Sequence, residues 1–476
     1  MSASSYVIEA NVSRRETYSP GGVFAGVGLF LVIGVLAPAA ITSWTDSSTG
    51  PWKWFLALSV LAALRYSVLV AVGAPRLYEL TFWLFVYLFL GLAPMVQIRM
   101  NAYPETTPGM LTQIGGRSAA VIVIGVLAFM VGALVSRPSG ETGASRVRIV
   151  DANAAMKLSF FSLVYTLWYI HAVGPALFSD RSTYSVARSL LWPNPAVGSI
   201  VSALATTPLL VSTAALLIVY KREPKGSLKL LIAAQIVTLM LVVNPVSGAR
   251  IAFGSVLLSL IAMLGGFGTS KRFRISAITV LIGMSLIFPY ADYFRHGAEG
   301  QSAFGKGNPI EAMTKGDFDG YAQVTNSVNY VDNHGVTYGN QALGVVLFWV
   351  PRSIWPEKAD DTGVVLAADR GYGFKNLSAP LWSELYINGK WAALALGMAL
   401  LGWVLKRQDN LRVRLPEVGV AGTILPFTML IILRGSLLQA IASFAAVILF
   451  SLFVTRSVLD VQPGARDQSQ QLPSPR

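Results

Sequence analysis

The chain of 476 residues contains no cysteine. Disulfides, thiolate nucleophiles, iron–sulfur clusters and cysteine-based zinc sites are therefore excluded. Histidine is scarce too. His171, His296 and His334 stand far apart, without the short spacing of a histidine metal motif. Charged residues make up only 13% of the chain, against about 25% in an ordinary soluble domain. That scarcity argues against most soluble enzymes. No P-loop or dinucleotide-binding fingerprint occurs, so nothing points to a nucleotide cofactor. Carboxylates are nearly absent from the apolar runs, where Glu79 and Glu417 sit only at edges. Coupled transporters usually place acidic groups near the bilayer midplane, so their absence counts against that class.

What the chain has is apolar surface: 54% hydrophobic residues and a mean hydropathy of +0.56. A bilayer core of about 30 Å needs roughly 20 apolar residues per helix. Runs that qualify, or nearly so, lie at 22–43, 54–73, 79–98, 118–136, 156–178, 198–220, 227–246, 251–268, 273–291, 390–405, 417–435 and 437–455. The pattern predicts an all-α polytopic membrane protein of about 12 transmembrane helices. Segments 227–246 and 251–268 can also be read as one broken unit, and 390–405 is short for a span. No small-residue cleavage site follows the first run, which is read as a retained span.

Basic residues set the expected orientation. Alternate loops are rich in them: Arg137, Arg146, Arg148 and Lys157; Lys221, Arg222, Lys225 and Lys229; Lys271, Arg272 and Arg274; Lys406, Arg407, Arg412 and Arg414. The intervening loops carry one or two each. The rich set is expected to face the cytoplasm, with both termini (1–21, and a polar, disordered tail over 456–476) on that side. The net charge of +13 then reflects retained loops, not nucleic-acid binding. Between spans 9 and 10 the 98 residues of 292–389 form an external loop holding 11 of the 24 acidic residues. Loops this long are usually functional. Its apolar piece, 341–350, is too short to span and is expected to lie at the interface or pack on the bundle.

Several side chains could carry chemistry. Arg250 lies at a tight outer hairpin and Arg434 at the outer end of its run, and an arginine in hydrocarbon needs a partner or a function. Arg65 lies mid-span, where snorkelling is the plainer reading. In PRSIWPEK, Arg352 and Lys358 stand between stiffening prolines, and an arginine fork suits phosphate oxygens; an interfacial anchor is the alternative. Asp317 and Asp319 have D-x-D spacing, a weak metal signal beside an ordinary solvated turn. His334 is a candidate general base, Glu384 another, and Tyr338 lies beside His334 in sequence. Arg181, Tyr184, Arg188 and Arg295 add cations and an aromatic for sugar or phosphate contacts. Positive charge on the outer face runs against the orientation bias, and an anionic lipid-linked substrate would offset it.

At these residues the chain resembles a known family. The G-x-R of SGAR, the PRSIWPEK stretch, the E-x-Y-x-N-G of SELYINGKW and the RG after an apolar run, with a large late external loop, are similar to the Wzy-type oligosaccharide repeat-unit polymerases. Ala359 stands where the familiar stretch often has a second proline. The resemblance implies an inverting glycosyl transfer at the outer face of the plasma membrane, without metal or cofactor. The donor would be a growing glycan on polyprenyl diphosphate and the acceptor a lipid-linked repeat unit. It also leaves room for a chain-length regulator protein as partner. Arg250, Arg352 and Arg434 would hold the diphosphate, and one of His334, Asp317, Asp319 and Glu384 would accept the proton. Three other readings are weighed: the related O-antigen ligases; the dolichyl- or polyprenyl-monophosphate-sugar glycosyltransferases, which usually carry acidic residues in the first outer loop, where this chain has only Asp46; and a lipid-linked oligosaccharide flippase, which does not need so long a loop.

The orientation can be checked with single cysteines, since the native chain has none. Ser302→Cys should react with an impermeant thiol reagent in intact cells, and Ser270→Cys should be protected. The opposite pattern inverts the topology and removes the outer-face reading.

Overall fold

A computed structural model describes residues 19–46, 49–136, 146–288, 308–374, 377–414 and 419–459; Arg295 lies outside them. The described residues are almost entirely helical. Among the described residues seven helices are long and apolar enough to cross a membrane, the mark of a polytopic membrane architecture. In chain order the principal helices begin with α1 (Pro20–Trp44), α2 (Trp52–Val72), α3 (Leu77–Met100) and α4 (Gly115–Val135). Then come α5 (Ala152–Val173), α6 (Arg181–Leu191), α7 (Pro195–Arg222), α8 (Gly226–Val242), α9 (Arg250–Met263) and α10 (Ser270–Ile282). After the undescribed stretch follow α11 (Gly320–His334), α12 (Asn340–Val346), α13 (Thr362–Asp369), α14 (Leu381–Arg414), α15 (Val420–Arg434) and α16 (Leu437–Phe453).

Within the described residues each apolar run overlaps a helix; of the twelve expected spans seven are long apolar helices, and α8, α9, α15 and α16 are shorter ones. Segments 227–246 and 251–268 resolve into two helices, α8 and α9, separated by a turn. The short run at 390–405 belongs to the longer α14, whose helical geometry is interrupted at Gly389 and Lys390, Lys390 having φ +51°. Among the described residues three stretches widen to π-helix, Leu31–Leu36, Val86–Leu92 and Gly283–Ile287, each ending two residues before a proline in the sequence, Pro38, Pro94 and Pro289. Proline has no N–H and crowds the carbonyl one turn back, and a wider turn relieves both.

Two apolar cores organise the bundle. The first gathers α1–α4, α10, α11 and much of α14; the second gathers α5, α7, α8 and part of α16. Helices α9 and α15 pack on each other and contribute to both, Ile251 and Leu433 to the first, Leu260 and Ile424 to the second. They form the seam, and they carry Arg250 and Arg434. Helix α3 is enclosed on all sides, from Leu77 to Arg99.

Two expectations are corrected. Residues 456–459 are not a disordered tail: strand β2 (Thr455–Leu459) pairs antiparallel with β1 (Arg146–Val150). The β-branched residues in RVRIV and TRSVL favour that extended pairing. Inside the large polar loop lies a buried helix, α11, with Tyr321, Val324, Val328 and Val331 in the first core. Their three- and four-residue spacing is the helical signal that the loop's polarity masks. The apolar piece 341–350 starts as the short helix α12, packed beside α14 and α16, with Leu343, Val346 and Trp349 exposed. An interfacial placement suits that exposure.

Helices α4 and α14 approach closely because glycines face the partner backbone. A Cβ on Gly132 would collide with the Ala399 carbonyl, and one on Gly402 with the Phe129 carbonyl. Gly132→Val and Gly402→Val should each destabilise by about 1–3 kcal/mol or more, as overpacking does. Gly254→Ala, with nothing within 4 Å, should not. Thermal unfolding in detergent reads the difference, and unchanged valine variants would contradict the close crossing.

Candidate functional site

Arg250 opens α9, just after a turn in which Asn244 Oδ1 accepts hydrogen bonds from the backbone N–H groups of Val246 and Ser247. Arg434 closes α15; the chain then turns through Gly435 to Ser436, the N-cap of α16. The third component is the 3₁₀ turn Gly316–Phe318, entered through Gly316 at φ +43°. Gln97 of α3 pins that turn, its Nε2 donating to the carbonyls of Met313 and Phe318, both at 2.8 Å. The Phe318 ring stacks on Phe89 with centroids 5.1 Å apart.

These elements meet at Asp317. Its Oδ2 lies 2.6 Å from Arg250 Nη2 and its Oδ1 3.0 Å from Arg434 Nη2. Arg434 also donates from Nε to the Asp317 carbonyl at 2.9 Å and from Nη2 to Asp319 Oδ1 at 3.3 Å. Arg250 donates from Nη1 to the Phe288 carbonyl at 3.0 Å and lies 4.9 Å from the centroid of the Phe288 ring. Two guanidiniums and two carboxylates thus cancel in formal charge. Asp319 is buried, and burial raises its carboxyl pKa while Arg434 opposes the shift.

A second carboxylate cluster begins two residues beyond Arg434. Ser436 Oγ and Leu437 N both donate to Glu384 Oε1 at 2.9 Å, and Thr362 Oγ1 donates to Oε2 at 2.8 Å. Asp361 caps α13 by accepting from Gly363 N at 2.9 Å, and burial raises its pKa. One turn, 434–437, therefore joins the arginine pair to the buried Glu384.

Other residues singled out from sequence lie elsewhere. Arg352 turns back on its own loop, donating to the carbonyls of Lys358 and Ala359 at 2.6 and 3.0 Å and pairing with Asp360 at 2.7 Å. Lys358 donates to the carbonyls of Phe348 and Val350. The proline-stiffened loop thus uses both cations to close itself, so two of the three expected arginines converge and Arg352 does not join them. His334 ends α11, the helix that starts beside Asp319. At 1.5 Å per residue, its backbone lies about 21 Å along the axis from Gly320. There His334 Nε2 meets Asp369 Oδ1 at 2.7 Å, with Tyr330 alongside. Tyr338 is 91% exposed. Arg188 donates to the Gly198 carbonyl and lies over Tyr184, whose hydroxyl is 2.6 Å from that of Tyr169; both belong to the second bundle, as does the helix that Arg181 opens. Arg65 pairs with Glu79, which Arg76 and Lys406 also neutralise, a structural ion cluster. Gln97, Phe288, Ser436 and Asp369 were not picked out by sequence reasoning. Only Ser436, directly after the RG pair, had a motif beside it.

Among the described residues no group of three or more His, Asp or Glu side chains could hold a metal ion. No protein-family profile, curated protein or solved structure matches the chain. What fold and site define is a class: a polytopic membrane protein with a buried arginine–carboxylate cluster at the seam of two helix bundles.

Removing Arg434 would leave buried Asp319 without its cation, a change that costs about 3–5 kcal/mol in comparable buried pairs. Because burial already raises the Asp319 pKa, the folded chain holds that proton more tightly than the unfolded one. This group's contribution to stability therefore falls as pH rises from the ordinary aspartate value of about 3.9 through the raised one. Arg434→Ala should steepen that fall. Melting temperatures of both proteins across acidic to neutral pH would show it, and parallel curves would contradict the pairing.

Proposed function

We propose that the protein transfers glycan from a polyprenyl-diphosphate carrier to the hydroxyl of a second lipid-linked oligosaccharide, polymerising repeat units of an O-antigen, capsule or exopolysaccharide. The observation that carries the reading is the convergence of Arg250 and Arg434 on one carboxylate, Asp317. In an inverting transfer the acceptor oxygen bonds to the anomeric carbon as the bond to the diphosphate oxygen breaks, and the hydroxyl's proton passes to a carboxylate, for which Asp317 and Asp319 are the candidates beside the arginines. Negative charge grows on the leaving group, and fixed guanidiniums in a water-poor site stabilise it. In the proposed orientation this site faces outward, both termini are cytoplasmic, and substrate enters from the outer leaflet.

The geometry ranks the other candidates. His334 is a helix length from the arginines and too distant to serve a sugar carbon bonded to a diphosphate held there. Glu384 already accepts three hydrogen bonds. Its evident task is to position the turn bearing Arg434. Arg352 supports its loop.

The test is chain extension by purified protein in nanodiscs, supplied only with lipid-linked repeat units. Extension should proceed without nucleotide and survive EDTA. Arg250→Ala and Arg434→Ala should each lower the rate 10²–10³-fold, about 2.7–4 kcal/mol, the scale of one lost contact to a transition-state anion. Lysine replacements should also be impaired because the planar fork is lost. Full activity in both lysine variants would overturn the assignment. If repeat units alone give no extension but transfer begins when a lipid A core is added as acceptor, the protein is a ligase; no transfer with either acceptor would favour a flippase.

A further inference from the structure

Asp317 sits where a ligand's oxygens would be expected. One carboxylate reaching two guanidiniums at 2.6 and 3.0 Å makes the contacts that arginine forks make with phosphate. The backbone beneath is firmly held. Arg434 Nε binds the Asp317 carbonyl, Gln97 binds the carbonyls on either side at Met313 and Phe318, and the Phe318 ring is stacked in the core. The side chain is less confined, at 14% exposure against 4% for Arg250. Rotation about its χ1 can carry the carboxylate away without moving the turn. Both cations would stay in place: Arg250 keeps the Phe288 carbonyl and ring, and Arg434 keeps Asp319.

We infer that Asp317 is a built-in stand-in for the diphosphate. In the resting protein its carboxylate occupies the anion seat between Arg250 and Arg434, and the diphosphate of a lipid-linked glycan displaces it on binding. The identity of that ligand rests on the proposed glycosyl transfer; the exchange itself is one anion for another, with no covalent bond made or broken. Withdrawing the Asp317 carboxylate from two buried guanidiniums with no anion to replace it would be costly, so the stand-in keeps the empty site stable. It also sets a threshold, because an incoming anion must outcompete a carboxylate already in place.

Calorimetric titration of the purified protein with inorganic pyrophosphate tests this. Asp317→Asn keeps the shape but removes the competing charge, so affinity for pyrophosphate should rise about tenfold or more, the scale of one charged contact. A second measurement uses the unmodified chain: carbodiimide labelling of carboxyls, read by mass spectrometry. Saturating pyrophosphate should raise labelling at Asp317 and leave Asp319 unchanged. Equal affinities in the two proteins, or constant Asp317 labelling while pyrophosphate binds, would overturn the displacement and leave the glycosyl-transfer reading standing. Binding by neither protein, or binding that survives Arg250→Ala and Arg434→Ala together, would remove the anion seat. Polyprenyl diphosphate in nanodiscs should compete with pyrophosphate at lower concentration. If it fails to compete while Asp317→Asn still tightens pyrophosphate binding, the seat takes a soluble anion, and the lipid-linked assignment falls.

Discussion

A charge taken out of water inside an apolar bundle costs several kcal/mol unless an opposite charge and hydrogen bonds meet it at contact distance. Much of this structure follows from that constraint. At one end of α3, buried Glu79 is met by Arg65, Arg76 and Lys406, while Asp409 accepts the backbone N–H groups of Tyr78 and Glu79. At the other end, buried Arg99 donates to Thr45 and the Thr42 carbonyl, and Gln97 takes two carbonyls of the long loop. These partners let α3 lie enclosed, although Gln97 Oε1 and Trp83 Nε1 are buried without a hydrogen-bond partner among the described residues. The same requirement draws Asp317 onto the two arginines of the seam.

Position at the seam gives this cluster its significance. Helices α9 and α15 each face both cores, so side chains at their ends are placed by the packing of two bundles at once. The turn 434–437 makes the coupling tighter: Arg434 belongs to the arginine pair, and Ser436 and Leu437 hold Glu384. Displacing a residue on either side of the turn would shift the other. The proposed anion site would depend on such support, since binding groups must be held within about 0.5 Å of their productive geometry.

The long polar loop also loses its independence in three dimensions. Helix α11 threads its apolar stripe into the first core, Trp382 at the start of α14 donates to the Ile122 carbonyl of α4, and Thr337 N donates to the Ile387 carbonyl. The described part of the loop, from 308 on, is therefore part of the bundle, with the Asp317 cluster at one end of α11 and the His334–Asp369 pair at the other. A helix length between them separates residues that the sequence offered as alternatives for one role.

From the sequence alone came the membrane class and the approximate helix positions, because apolar content and run length are local properties that the bilayer itself reads. Arg250 and Arg434 were also legible, since an arginine against an apolar run needs an explanation wherever the chain goes. What answers them was not. Asp317 lies 117 residues from Arg434, and Gln97 is 221 residues from Phe318. Such pairs leave no spacing to read, and which of several candidate carboxylates and arginines meet is decided by helix packing. Arg352 shows the converse. Its motif looked like an anion grip, yet the loop's own carbonyls lay nearest and took its hydrogen bonds. Run length and residue type act along the chain, and composition records them; the partner of a buried charge depends on which helix ends packing brings within 3 Å, and only the tertiary structure decides that.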